Sequence, residues 1–295
     1  MPRPAIVVAM SMINDKVCAV TGAGSGIGRA LAIELGRRGA RAIAISDVSE
    51  TGLAVTAAEV QATGAGIHRS RLDVSDCEAM LAWAAELAKQ FGVVHQIYNN
   101  AGIADAGTIE EFGFDAYRRV LDINLWGVIH GTKAFLPYLI ASGDGHVVNV
   151  SSLNGIMAQA ELSAYCASKF AVRGFTETLA LEMAQAGRPV RTTVVHPGGV
   201  KTNIASAALA AAEAQGRPLT DAERSRANIY NEKLLTLDAG RAAEIIVDAV
   251  EHDRPRVLVG RDAQAMDLLV RAMPRGWSRL IAPYMRRMLR PSRSP

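Results

Sequence analysis

Tyr165 and Lys169 stand four residues apart in Ser163-Ala-Tyr-Cys-Ala-Ser-Lys169, and the run from there to Gln185 is Ala-rich and free of proline. On a helix, residues at i and i+4 are neighbours on one face, so this spacing sets an ammonium beside a phenol. Ser152 closes an apolar, strand-like run, His146-Val-Val-Asn-Val-Ser-Ser152. A hydroxyl, a phenol and an amine gathered at the carboxyl end of a strand make a proton-transfer site rather than a covalent one. A free tyrosine titrates near ~10, and a nearby positive charge favours its anion. The pattern therefore supplies a phenolic acid/base working near neutral pH. Taken alone, Tyr-x-x-x-Lys is a common coincidence on surface helices; its weight comes from the elements around it.

Those elements begin with Lys16-Val-Cys-Ala-Val-Thr21, an apolar strand followed at once by Gly22-Ala-Gly-Ser-Gly-Ile-Gly28. A helical pattern (Ala30, Leu31, Ile33, Leu35) then runs to Gly39. Strand, glycine turn and helix form a dinucleotide-binding unit. Gly22, Gly26 and Gly28 let the backbone approach a pyrophosphate, which the free N–H groups and dipole of the helix N-terminus attract. The second strand, Ala42 to Ser46, ends at Asp47, where a carboxylate can bind a ribose diol and would repel a 2′-phosphate. Ser25 and Val48 occupy the places where a phosphorylated cofactor would want Arg or Lys. Arg29 lies one turn into the helix and Arg41 at the start of the strand, neither within evident reach. The reading is NAD over NADP, the alternative for Asp47 being a turn or helix-cap acid.

A helix from about 50 to 62 leads to a third strand, 67 to 72, ending at Asp73-Val74. Asp76 is placed to cap the next helix, which runs to Gln90. Val93 to Tyr98 reads as a fourth strand, closed by Asn99-Asn-Ala-Gly102. Strands alternating with helices at these intervals predict an α/β fold, a doubly wound parallel sheet of Rossmann type in a single domain, with ligands beyond the strands' carboxyl ends. A long helix from about 115 to 141 carries Asn124 in an apolar stretch, where an amide is costly unless hydrogen-bonded. After the Tyr165 helix come a strand, Val190 to His196, and a second glycine turn, Pro197-Gly-Gly-Val-Lys-Thr202.

With these residues assembled, the chain resembles the compact single-domain branch of the short-chain dehydrogenase/reductase family. The marks are Thr21-Gly22-x-x-x-Gly26-x-Gly28, Asn99-Asn-Ala-Gly102, Asn124, Ser152, Tyr165-x-x-x-Lys169 and Pro197-Gly198, in family order over roughly residues 14 to 260. The resemblance implies a catalytic tetrad: Tyr165 as general acid/base, Ser152 holding the substrate oxygen, Lys169 lowering the tyrosine pKa and binding the nicotinamide ribose, and Asn124 supporting a relay water. It implies cofactor contacts from Ser25, Ile27, Asp73, Val74, Asn100, Ala101, Gly102, Val200 and Thr202 besides the glycines, Asp47 and Pro197. A homodimer or homotetramer built on the Asp115 and Tyr165 helices is also implied. The expected activity is hydride transfer between NAD and a secondary alcohol or ketone. Alternatives are an NADP-preferring carbonyl reductase and a dinucleotide-binding regulatory protein without turnover.

Substrate choice is expected in residues 203–237, read as a helical lid, with Leu153, Met157, Leu162 and Cys166 lending the pocket an apolar character. Residues 1–13 read as a flexible leader rather than a secretory signal, since the apolar run is short and lacks a cleavage site. Three cysteines without metal or disulfide spacing point to a reducing, cytoplasmic setting, and no metal is expected. From Arg271 to Pro295 there are seven arginines and no acid; removing these from 32 basic residues leaves 25 against 29 acids, a net of −4. A mildly acidic body argues against nucleic acid as a partner. The tail, 261–295, reads as a basic amphipathic extension that packs on the protein, the alternative being peripheral membrane contact through 271–295. Pro283 is expected to interrupt any helix there.

Overall fold

The computed structural model describes residues 12–204 and 234–288, with side chains to Pro283, and isolated positions (206, 209, 213, 224, 228 and 229) between those stretches. Strands β1 (Val17–Thr21), β2 (Ala42–Asp47), β3 (Gly66–Arg71), β4 (Gln96–Asn99), β5 (Gly145–Val150), β6 (Val190–Pro197) and β7 (Arg256–Val259) form one sheet. Its order is β3-β2-β1-β4-β5-β6-β7, and every adjacent pair is parallel. The order reverses between β1 and β4, which opens a crevice beyond their carboxyl ends.

Near-continuous apolar strands need cover on both faces, and helices supply it. Helices α1 (Gly26–Arg37), α2 (Glu50–Gln61) and α7 (Ala239–Glu251) bury Leu31, Leu35, Leu53, Val60, Ile246 and Val250 against one face. On the other, α3 (Cys77–Phe91), α5 (Gly127–Ala141) and α6 (Ser163–Gln185) bury Met80, Trp83, Phe135 and Leu179. Ser49 caps α2 by accepting from the Gly52 amide and Asp76 caps α3 by accepting from the Ala79 amide, the latter as predicted. Such caps satisfy donors that a helix start leaves free.

Four expectations need correction. β4 begins at Gln96, not Val93. The helix read over 115–141 is α4 (Phe114–Leu121), a single wide turn (Asp122–Trp126) and α5, so Asn124 sits on a π-helical bulge. Such bulges re-aim side chains and are common at functional sites. The leader does not extend through Ile13, which is fully buried in the core; residues 1–11 lie outside the described ones. Finally, α9 (Trp277–Met288) runs through Pro283 without interruption.

Most of the lid reading, 203–237, lies outside the described residues, as does the tail beyond 288. The two ends of that segment meet: the amides of Thr236 and Leu237 donate to Gly199 O, and the Lys201 amide donates to Leu237 O. Helix α8 (Arg261–Ala272) opens the C-terminal extension and packs on β7 and on the short turn Leu153–Gly155. The extension is therefore tied to the body at its start. Among the described residues no helix is long and apolar enough to cross a membrane.

Candidate active site

The glycine loop leaves β1 with Gly22 at φ +65°, and a Cβ there would lie 2.6 Å from Ala101 Cα. Only glycine allows so close an approach of the loop to the segment after β4. Thr21 locks the two together: its hydroxyl accepts from the amides of Asn100 and Ala101, and its carbonyl accepts from Asn100 Nδ2 at 3.0 Å. This junction spans the β1/β4 reversal. At the start of α1, Ser25 makes no side-chain cap, and the first turn holds no acid. The leading amides of α1 are thus left for an anion, which fits a dinucleotide pyrophosphate.

Asp47 lies at the edge of this loop. Its Oδ2 accepts from the Gly24 amide and its Oδ1 from the Ser49 amide, both at 2.9 Å. The turn-acid role is real, and it aims the carboxylate along the loop with one lone pair on each oxygen still to use. Arg29 donates to Thr56 Oγ1 and to Gly24 O of the same loop, and Arg41 reaches Phe91 O. The Thr202 side chain stands 3.2 Å from where a Cβ on Gly26 would be, so the second glycine turn closes over the first. Val200 is buried beneath that turn, which Asp262 braces by accepting from the Gly199 amide at 2.6 Å. Asp73 is exposed at the end of β3, its Oδ1 occupied by Ser75; Val74 is buried against Gly127. The Leu72 amide donates to Asp47 O, so these two follow directly on a residue tied to Asp47.

The chemistry-bearing residues gather at the ends of β4 and β5. Lys169 is buried at 3% exposure, donates from Nζ to Val150 O at 2.9 Å, and lies 5.7 Å from the centroid of the half-buried Tyr165 ring. Burial lowers its pKa from 10.5 to about 8. A Cβ on Gly102 would be 3.4 Å from that Nζ and 3.2 Å from Asn124 Oδ1, so loop, amide and ammonium converge. Both Asn124 amide hydrogens are used within the protein, Nδ2 donating to Ile103 O and Ser168 Oγ, while Oδ1 accepts from Ile103 N and keeps a second lone pair. Ser152 is buried, and its Oγ accepts from the Asn154 amide at 3.1 Å. Met157 is buried, while Leu153 and Leu162 are half-buried beside it, with Leu162 bridged to Gly107.

Several residues that sequence reasoning passed over hold this arrangement. His196 is fully buried at the end of β6, and its Nδ1–H donates to Ser152 O at 2.8 Å. Burial pushes its pKa down to about 4, so the ring is neutral and Nε2 is a bare acceptor with no partner among the described residues. Ser151 donates to Lys169 O and Ser168 to Tyr165 O, fastening the first turns of α6. Beneath them runs a buried polar chain, in which Asn99 donates to Thr132 and Asn149, and Asn149 to Thr176. The polar Asn149 inside Val147-Val-Asn-Val150 was the signal available in the sequence, since an amide on a buried strand demands partners.

A family profile described as short chain dehydrogenase matches residues 16–213. The chain belongs to the short-chain dehydrogenase/reductase family. SadH of Mycobacterium tuberculosis, an oxidoreductase by name, is 48% identical over 274 residues, 92% of this chain and 96% of that protein. A cyclohexanol dehydrogenase of Acinetobacter sp. is 34% identical over 198 residues, 67% of this chain and 78% of the relative. Among solved structures, a short-chain dehydrogenase/reductase from Burkholderia phymatum in complex with NAD superposes with TM-score 0.82 at 30% identity, over 89% of this chain and 95% of that one. An alcohol dehydrogenase from Thermococcus sibiricus, complexed with 5-hydroxy-NADP, gives 0.63 at 27% identity over 80% and 88%. This short-chain dehydrogenase/reductase is accordingly an NAD(P)-dependent oxidoreductase acting on CH–OH groups.

Proposed function

We propose that the protein oxidises a hydrophobic secondary alcohol, or reduces the matching ketone, with NAD as the preferred cofactor and Tyr165 as the general acid/base. The observation that carries this reading is the buried Lys169 ammonium beside the Tyr165 ring at the strand ends, with Gly102 and Asn124 against it. Bound at the glycine loop, a nicotinamide dinucleotide supplies the hydride acceptor or donor. The residues of this chain do the rest. Gly22 to Gly28, Asn100, Ala101, Thr202 and the Pro197–Gly198 turn hold and orient it. Ser152 Oγ binds the substrate oxygen, and the Lys169 charge favours the Tyr165 phenolate. The phenolate takes the hydroxyl proton of the alcohol, and the phenol returns it to the ketone in reverse. Asn124 fixes Ile103 and Ser168 and keeps one Oδ1 lone pair with which to support a relay water.

The preference for NAD is supported by the Asp47 carboxylate at the end of β2, which would repel a 2′-phosphate, and by the engagement of Arg29 with Thr56 Oγ1 and Gly24 O. The apolar character of the substrate is supported by Leu153, Met157 and Leu162 and by the cyclohexanol dehydrogenase relative. A homo-oligomer seated on α4 to α6 is supported by the exposed Phe114, Trp126, Phe170 and Leu181. The test is Tyr165→Phe, assayed by nicotinamide absorbance over a panel of cyclic and linear secondary alcohols with either cofactor. Loss of turnover by at least about a thousandfold with cofactor Kd unchanged is expected, a scale typical of losing an acid/base together with its positioning. A variant as active as wild type would remove the tyrosine from the mechanism.

A further inference from the structure

The C-terminal extension has a part that the proposed chemistry does not use. Helix α9 continues through Pro283, so Trp277, Leu280 and Ile281 share one stripe, and Tyr284 and Met288 follow at the same period in the sequence. Ser278, Arg279 and Arg286 fall off that stripe, and Arg287 lies at its edge beside Leu280. The stripe is open to solvent: Leu280 is 53% exposed, Trp277 and Ile281 are partly exposed, and Met273 just before the helix is 41% exposed. Charge runs one way only. No acid occurs after Asp267, which already serves both Arg256 and Arg271. No ion pair reaches Arg275 or Arg279 among the described residues.

We propose that residues 271–288 dock on an anionic lipid bilayer, with α9 lying in the interface. A short helix with an apolar stripe and arginine on its flanks is built to lie at a headgroup boundary, its aromatic and aliphatic residues among the acyl chains. Clusters of about four to eight Lys or Arg on such a segment suit acidic headgroups, and residues 271–288 carry five arginines. At 12 residues α9 spans roughly 18 Å, too short to cross a bilayer, so it lies on the surface. A second copy of the chain is the poorer occupant, because a tail-to-tail contact would set arginines against arginines without a carboxylate between them. Helix α8 rests on the Leu153–Gly155 turn, so the extension starts beside Ser152. Docking there would bring the substrate side of the site toward a reservoir of lipophilic alcohols; that use, unlike the docking itself, rests on the dehydrogenase reading.

The experiment is flotation of the full-length protein with vesicles of phosphatidylcholine alone or with about a third phosphatidylglycerol, a content that gives a strongly negative surface. Co-flotation with the anionic vesicles only, reversed by high salt, is expected. Arg275→Glu with Arg279→Glu should reduce binding at least about tenfold, as should Leu280→Asp, with turnover of a soluble alcohol unchanged. Circular dichroism confirms that each variant is folded. Failure of the wild type to float, or equal flotation of the variants, overturns the proposal. So does a smaller molar mass of the variants in lipid-free buffer, which would assign the face to a second copy.

Discussion

Burying the Lys169 ammonium should leave a signature in stability that is separable from turnover. The unfolded chain keeps this lysine protonated to about its model-peptide pKa, 10.5, whereas the folded chain releases the proton near 8 because the ammonium is desolvated. Below pH 8 both states hold the proton and the stability is flat. Between 8 and 10.5 the unfolded state holds one proton more, so raising the pH favours the folded state by about 1.4 kcal/mol per unit. Lys169→Met keeps the volume and removes the titration. The stability of the wild type minus that of the variant should therefore be level from pH 6 to 8 and climb by roughly 2 kcal/mol by pH 9.5, about 4 °C in Tm for a chain this long. Urea denaturation of the two cofactor-free proteins across that range measures it, with Tyr165→Phe as the background for both so that the coupled phenol drops out and groups remote from Lys169 cancel in the difference. At neutral pH the variant should lose little: the wild type holds a desolvated charge there, which roughly offsets the Val150 hydrogen bond it gains. Turnover by the variant should collapse. A difference flat within about 0.5 kcal/mol from pH 7 to 9.5 would mean that the ammonium is solvated, and the account of how it acts on Tyr165 would go with it.

Two further substitutions probe the residues that hold the site. His196→Leu removes the donor to Ser152 O and should cost about 1–3 kcal/mol in urea unfolding, with kcat falling while the KM for NAD holds. His196→Asn, whose amide can replace Nδ1–H, should recover most of the kcat; no recovery would reduce His196 to a packing residue. Gly198→Ala would set a Cβ 2.3 Å from both carboxylate oxygens of Asp262 and should weaken NAD binding by at least about tenfold, read by nicotinamide fluorescence. Adding Asp262→Ala should restore part of that loss if the clash is the cause.

Much of this was legible because each motif carries its own physics. The glycine loop announces a turn between strand and helix, and β1 and α1 fall where it puts them. Tyr165 and Lys169 need only the helix period to share a face. What could not be read was the partner of each polar group, which depends on contacts between distant segments. Asn124 is the clear instance: its buried position was anticipated, but the bulge that aims it at Ile103 and Ser168 was not, because nothing in the composition of Asp122–Trp126 marks an extra residue in the turn. His196 looked like a strand residue before a proline until the fold put Ser152 O next to it. Pro283 misled in the other direction, since in a 12-residue helix it sits in the second turn and removes only one backbone bond.

The pattern of hydrogen bonds also explains why the site tolerates a buried ammonium at all. Lys169 is reached from four directions: by Val150 O from β5, by Ser151 gripping its own carbonyl, by Ser168 tied to Asn124, and by Gly102 of the loop after β4. Each of those segments is itself fixed by a buried side-chain bond, Asn149 to Thr176, Asn124 to Ile103, and Thr21 to Asn100 and Ala101. A charge kept from water must otherwise be neutralised by movement of its surroundings, and this framework leaves little room to move. The segments expected to choose the substrate are held differently. At the end of the Leu153–Leu162 stretch Leu162 bridges to Gly107, and Gly199 and Leu237, at either end of the 203–237 segment, are tied to each other by backbone bonds. Exchanging residues along those two segments should therefore change which alcohol is accepted while leaving the pH-dependent stability set by Lys169 intact.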